Sequence, residues 1–154
     1  KNIETLADLA RDGLRVGLCN AEQSTLGFMT YSMLKSMNIW DKVQANASSQ
    51  VPTADFLINQ MRAGALDAAV VYGVNVAHQK EHFDAVHLPP DKAKAIQPFA
   101  VRKDSKHRWL GYRLLDYLRN HRDRFENTGF LWTGSTEAVK SADIVLPDWL
   151  TPPK

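Results

Sequence analysis

The apolar residues of the chain follow two alternating spacings. Residues 68–72 are a continuous apolar run, which is typical of a strand covered on both faces, and residues 14–19 also have the pattern of a strand. Between these segments, apolar positions recur every three or four residues, which is the spacing of an amphipathic helix. The pattern therefore predicts strands and helices in alternation along the chain.

The predicted elements can be given in chain order. They are a helical turn at 5–11, a strand at 14–19, a helix at 25–37, a weaker strand at 43–47, a loop at 48–53, a helix at 54–63, a strand at 68–72, two further strands at 85–88 and 96–102, and a long amphipathic helix at 106–125. This alternation predicts an α/β fold with a mostly parallel sheet flanked by helices. The tail after Gly134 is poorly periodic, and we expect a loosely attached extension there.

Composition and charge narrow the function classes. The 154 residues carry a formal net charge of +2, which is too small to indicate nucleic acid as a partner. The basic stretch at 103–124 is interleaved with Asp116 and Asp123, and it is interpreted as a solvated helix face. No apolar run approaches the roughly 18 residues that a membrane-spanning helix needs. No signal peptide is recognisable, as expected for an exported protein without its leader or for a truncated chain.

Candidate nucleophiles and metal ligands are few. The single cysteine, Cys19, would need a nearby histidine to act as a nucleophile, and a cysteine at a strand end is more often a core residue. His78 and His82 are four residues apart and could share a helix face, but the pattern specifies no third metal ligand. The usual glycine-rich nucleotide-binding loops are absent from the sequence. The sequence therefore predicts neither an enzyme nor a bound metal or other cofactor.

Three positions at the carboxyl ends of predicted strands are candidates for ligand binding, because open parallel sheets bind ligands at that edge. Thr25 and Leu26 open one helix, Thr53 and Ala54 open the next, and Tyr72 ends a strand. Unpaired N–H groups at two helix N-termini, together with the Tyr72 hydroxyl, would bind an anion without any Lys or Arg. The alternative interpretation is that these residues only cap their helices, as they do in many α/β proteins.

Several segments of the chain resemble one known family. The segments that carry this resemblance are LADLA at 6–10 with LRVG at 14–17, NAEQSTLG at 20–27, the stretch at 34–41, the stretch at 54–72 that ends in GALDAAVVY, the return strand at 97–101, and 114–130. They are similar to the second lobe of periplasmic molybdate-binding proteins, which are type 2 periplasmic binding proteins. The resemblance covers about residues 5–132, and G-x-x-D followed by VVY is its most specific part.

The resemblance implies a function and a set of site residues. The chain would be the solute-binding component of an ATP-driven importer in the periplasm or elsewhere outside the cytoplasm, with a membrane permease as its partner. Its ligand would be a tetrahedral oxyanion such as molybdate or tungstate. The donors would be the main-chain N–H groups of Leu26 and Ala54 and the hydroxyl of Tyr72, beside Thr25 and Thr53. Thr25 and Leu26 replace the Pro-Ala that is usual in the family, which places a bulkier side chain at the site.

The resemblance also implies a domain division. Residues 1–103 would form the second lobe of a two-lobe protein, and residues 104–154 would return toward a first lobe that is absent here. Trp109 and Leu114 would then be exposed unless another chain covers them, which predicts a dimer or a missing partner segment. An alternative function is the ligand-sensing effector domain of a bacterial transcription regulator, because such domains share the two-lobe fold.

Overall fold

A computed structural model of the protein describes residues 1–89 and 93–132. In chain order, its elements are a 3₁₀ helix at Leu6–Ala10, β1 at Val16–Cys19, α1 at Thr25–Ser36, α2 at Trp40–Ala45, β2 at Ala47–Val51, α3 at Ala54–Arg62, β3 at Ala68–Ala69, α4 at Gly73–Val76, α5 at Arg108–Asn120 and α6 at Arg122–Glu126. The predicted tail after Gly134 lies outside the described residues.

The three strands form one parallel sheet in the order β2-β1-β3. Central strand β1 pairs Cys19 with Val51 of β2 and Gly17 with Ala69 of β3. Because all three strands run in the same direction, the segments that follow them leave the sheet at one edge. The prediction of an α/β fold with a parallel sheet flanked by helices is confirmed.

Strand β1 is buried along its whole length. The strand predicted at 68–72 is shorter in the structure, where β3 is Ala68–Ala69, and the expectation that it is covered on both faces is wrong, because β3 is a partly buried edge strand. A first core cluster lies against the 3₁₀ helix, α1 and α2, and it contains Leu9, Leu14, Val16, Leu18, Leu34 and Val43. A second core cluster lies against α3, and it contains Cys19, Leu26, Ala54, Leu57 and Leu66. A Cβ at Gly17 would collide with Leu57 and Leu66, so the missing side chain allows α3 to lie close to the strand.

The predicted strand at 43–47 is wrong, and so is the predicted loop at 48–53. Residues up to Ala45 belong to α2, and the second strand is Ala47–Val51. Val43 is fully buried in the first core cluster from its position on a helix. The strand itself is a polar edge strand, and its pairing with β1 determines its conformation more than its own β-propensity does.

The predicted strands at 85–88 and 96–102 are also wrong. Neither segment pairs with the sheet, and both lie in irregular structure. Val86, Ile96 and Phe99 remain exposed there. A β-strand needs a neighbour that accepts and donates its main-chain hydrogen bonds, and an apolar sequence alone does not supply one.

The C-terminal helical region begins at Arg108 and ends at Glu126, close to the predicted bounds, but it is interrupted. The expected helix at 106–125 is divided into α5 and α6 at His121, whose backbone is not helical. Neither helix has a buried residue. Gly129, which follows α6, lies against Val74 and Ala77 around the end of α4. This contact brings the end of the described chain back to the α/β unit.

An ion-pair cluster at the start of β1 ties together distant parts of the chain. The Asp67 carboxylate accepts hydrogen bonds from the Arg15 main-chain N–H at 2.8 Å and from Lys1 Nζ at 2.8 Å. The second carboxylate oxygen accepts from Arg15 Nη2 at 3.0 Å. These hydrogen bonds, first among them those from the Arg15 side chain, hold the pKa of Asp67 well below its usual range.

Candidate ligand-binding site

The first side of the candidate site is the N-terminus of α1. Ser24 caps this helix, and its Oγ accepts a hydrogen bond from the Gly27 N–H at 3.5 Å. A Cβ at Gly27 would collide with the main-chain carbonyl of Asn20, so glycine allows the first turn of α1 to lie directly on the end of β1. Leu26 is buried in that turn, and its N–H is one of those that a helix leaves without an intrahelical acceptor.

The second side is the N-terminus of α3, which follows β2 after two residues. Ala54 is the first helical residue and is buried in the second core cluster. Thr53 occupies the N-cap position in extended backbone, and its side chain makes no capping hydrogen bond. Asp55 adds a carboxylate in the first turn, and its Oδ1 accepts a hydrogen bond from Asn75 Nδ2 at 3.4 Å. This carboxylate interacts favourably with the positive end of the helix dipole, and it therefore competes with a bound anion for the N-terminus of α3.

Tyr72 is the third predicted donor. It lies immediately before α4 and packs, partly buried, against the second core cluster. Burial and the neighbouring Cys19 both raise the pKa of the Tyr72 phenol. The hydroxyl therefore stays protonated at neutral pH and can donate a hydrogen bond to an acceptor-only ligand.

A groove of about 300 Å³ opens beside these elements. Its walls are formed by Thr25, Met29 and Tyr72 on one side and by residues 94–98 on the other. The predicted residues Thr25 and Tyr72 therefore face a common space. Leu26 and Ala54 contribute to the second core cluster, on which Tyr72 also packs, and neither lines the groove. Thr53 is exposed and lies outside the groove wall.

The sequence analysis did not identify the opposite wall of the groove. The predicted strand at 96–102 included Ile96 and Gln97 and left Lys94 unassigned, but the structure places all three residues along the groove. The sequence signal for an irregular segment was present, because Lys94 and Gln97 interrupt the apolar run and Pro98 follows them. The position of residues 94–98 against the groove depends on tertiary contacts, which the sequence pattern does not contain.

The surroundings of Cys19 argue against nucleophilic catalysis. Its side chain is buried among apolar residues of the second core cluster. Burial raises the pKa of the thiol, and a hydrogen bond with Ser24 offsets only part of this effect. A thiol with a raised pKa is mostly protonated at neutral pH and is a poor nucleophile.

The structure gives no support to the histidine pair as a metal site. Helix α4 ends at Val76, so His78 and His82 do not share a helix face. Within residues 1–89 and 93–132, no group of three or more His, Cys, Asp or Glu side chains could hold a metal ion. In the same part of the chain, no helix has the length and apolar character to cross a bilayer.

Comparison with known families assigns the chain to a class of binding proteins. Residues 1–131 match the family described as bacterial extracellular solute-binding protein, and the chain belongs to that family. No curated protein and no solved structure matches the chain. The general part of the resemblance, to a solute-binding protein, is therefore confirmed. The description of the family names no ligand, and molybdate binding stays a prediction.

Proposed function

We propose that this chain is the ligand-binding part of a receptor for an ATP-driven importer, and that it binds a tetrahedral oxyanion such as molybdate or tungstate. Membership of an extracellular solute-binding family supports the receptor role and a location outside the cytoplasm. The same description favours a receptor over the effector domain of a transcription regulator. The observation that carries the choice of site is the groove at which Thr25 of α1 and Tyr72 meet.

The proposed donors are neutral. The N–H groups of Leu26 and Ala54 belong to first helical turns that follow two adjacent strands, β1 and β2, although neither residue lines the groove. Tyr72 follows the third strand, and its phenol carries a proton at neutral pH, since its ordinary pKa of about 10 is raised further by burial. A fully ionised oxyanion has only acceptor oxygens, so a set of donors without acceptors selects it over a protonated form.

The proposed mechanism is binding without chemistry. Two lobes would close around the anion by a hinge motion, with residues 1–103 as one of them, and the closed form would be presented to a membrane permease. Closure removes water from the ligand, which strengthens each hydrogen bond to it. Residues 104–154 would connect this lobe to the other one.

Replacing Tyr72 by phenylalanine tests the proposal. We expect Tyr72→Phe to weaken molybdate binding by about 1–3 kcal/mol, or roughly 5- to 150-fold, because an oxygen of the enclosed anion loses its donor. Isothermal titration calorimetry measures this difference. Tyr31→Phe is the matched control, since the Tyr31 ring packs edge-on against Trp40 at 4.9 Å and does not line the groove. Equal affinities of Tyr72→Phe and the unchanged chain would contradict the proposed site.

A further inference from the structure

The groove has a polar and an apolar part. Its polar side chains are Thr25, Tyr72, Lys94 and Gln97, and its apolar side chains are Met29, Ala95, Ile96 and Pro98. An inorganic oxyanion can use only the polar part, because its oxygens all require hydrogen-bond donors. The apolar side chains of the groove would then lie against the charged oxygens of the anion, and this contact would not stabilise binding.

The size of the groove also favours a ligand larger than an inorganic oxyanion. Its volume is about 300 Å³, at the lower end of the roughly 300–1,000 Å³ that is typical of pockets for small organic ligands. A tetrahedral oxyanion has five heavy atoms, and at roughly 30 Å³ for a water-sized group it would fill about half of that space. The remainder is sufficient for a short aliphatic chain.

Lys94 adds a positive charge to the groove. No carboxylate of the described residues lies within ion-pair distance of its ammonium group. A lysine that lines a pocket beside a tyrosine hydroxyl and a threonine favours a negatively charged head group over a neutral one. A neutral-donor site would lack this Coulombic attraction.

We propose that the groove binds an organic oxyanion, in which a tetrahedral phosphonate or sulfonate head carries a short aliphatic chain. The head lies at Lys94 and Tyr72, and the chain lies along Met29 and Ile96. This inference rests on the anion-binding function proposed above and specifies the class of anion. Lys94 selects for a negatively charged ligand, and Ile96, which is 65% exposed, would be covered by the aliphatic part.

The experiment compares anions of increasing chain length. Molybdate, methylphosphonate, propylphosphonate and pentylphosphonate are titrated into the chain by calorimetry. We expect the affinity to rise with each buried methylene by about fourfold, until the groove is filled. Ile96→Ser should reduce this gain per methylene. Lys94→Gln should weaken every phosphonate by roughly tenfold and reduce the dependence of affinity on salt, whereas Lys80→Gln, at an exposed lysine that does not line the groove, serves as the control.

The outcomes separate the two proposals. Tighter binding of molybdate than of any phosphonate, with no effect of Lys94→Gln, would overturn this inference and leave the proposed oxyanion receptor standing. Binding of all the phosphonates with equal affinity would likewise overturn it. Failure of every anion, molybdate included, to bind would overturn the proposed function and this inference with it.

Discussion

At the scale of single residues, Asp67 shows how one carboxylate can fix the position of several segments. It accepts hydrogen bonds from Arg15, which precedes β1, and from Lys1 at the start of the described chain. The Arg15 side chain also donates to the main-chain carbonyl of Gly64 at 2.9 Å. Asp67 therefore aligns the turn before β3 with the beginning of the central strand, and this alignment sets the register of β3.

The ion pairs of Asp67 make stability depend on pH. Because the folded pKa of Asp67 lies below its usual value of about 4, its contribution to stability is fully present above that value and is lost as the pH falls further. We expect Asp67→Asn to lower the midpoint of urea unfolding at pH 7 and to reduce the loss of stability between about pH 4 and pH 2.

Unfolding curves recorded from pH 2 to pH 7 measure both effects. Asp41→Asn is the control, because Asp41 is highly exposed and forms a surface ion pair with Lys35 at 3.3 Å. If Asp67→Asn and Asp41→Asn change the pH profile equally, the role assigned to Asp67 is wrong.

The sequence provided only part of this arrangement. Asp67 stood out within the G-x-x-D segment, where it follows the stop signal Gly64, whose φ of +69° is a conformation that glycine favours. Its partner Arg15 is 52 residues away along the chain. A local pattern does not contain contacts over such a separation, so the ion-pair cluster emerged only in the folded chain.

At the scale of elements, α1 and α3 were predicted well in extent, whereas α2 was not predicted and the long C-terminal helix is divided in two. Helices α1 and α3 begin at the predicted residues: the Ser24 side chain caps α1, whereas Thr53 holds the N-cap position of α3 without a side-chain hydrogen bond. Phe28 is one of the apolar residues at helical spacing in α1, but its side chain is exposed, and the polar Thr30 is buried. Burial of Thr30 is tolerated because its Oγ1 donates to the Leu26 carbonyl at 2.8 Å.

Helix α3 allows the core to be tested within one element. Leu57 is fully buried beneath β1, whereas the adjacent Phe56 is 55% exposed. We expect Leu57→Ala to destabilise the protein by about 2–5 kcal/mol, because it leaves a cavity between α3 and the sheet. Phe56→Ala should cost less than about 1 kcal/mol. Chemical denaturation of both variants measures the difference, and equal losses would show that α3 does not pack as described.

At the scale of the whole molecule, large apolar side chains are unevenly distributed over the surface. The α/β unit encloses both core clusters, but α5 and the residues after α6 carry large apolar side chains in contact with solvent. Trp109 is 82% exposed and Leu131 is 86% exposed, and Leu110 and Leu114 are exposed as well. The exposure of Trp109 and Leu114 was expected from the sequence if nothing covers this helix.

An exposed apolar helix face predicts association. We expect the chain to self-associate at micromolar concentrations, and we expect Trp109→Lys combined with Leu114→Lys to weaken this association, since charges replace the apolar contact. Sedimentation velocity over a range of concentrations measures it, with Arg113→Gln on the same helix as the control. A monomer at every concentration for the unchanged chain would contradict the prediction.

The sequence by itself determined the α/β class, the extents of α1 and α3 and the three positions after the strands, because apolar periodicity and helix caps are local properties. Short segments such as G-x-x-D with VVY also led to the class of solute-binding proteins. Tertiary structure alone decided the location of β2, the irregular path of residues 96–102 and the place of Lys94 in the groove wall. Strand pairing and groove walls are contacts between distant segments, so their energies are absent from any local pattern.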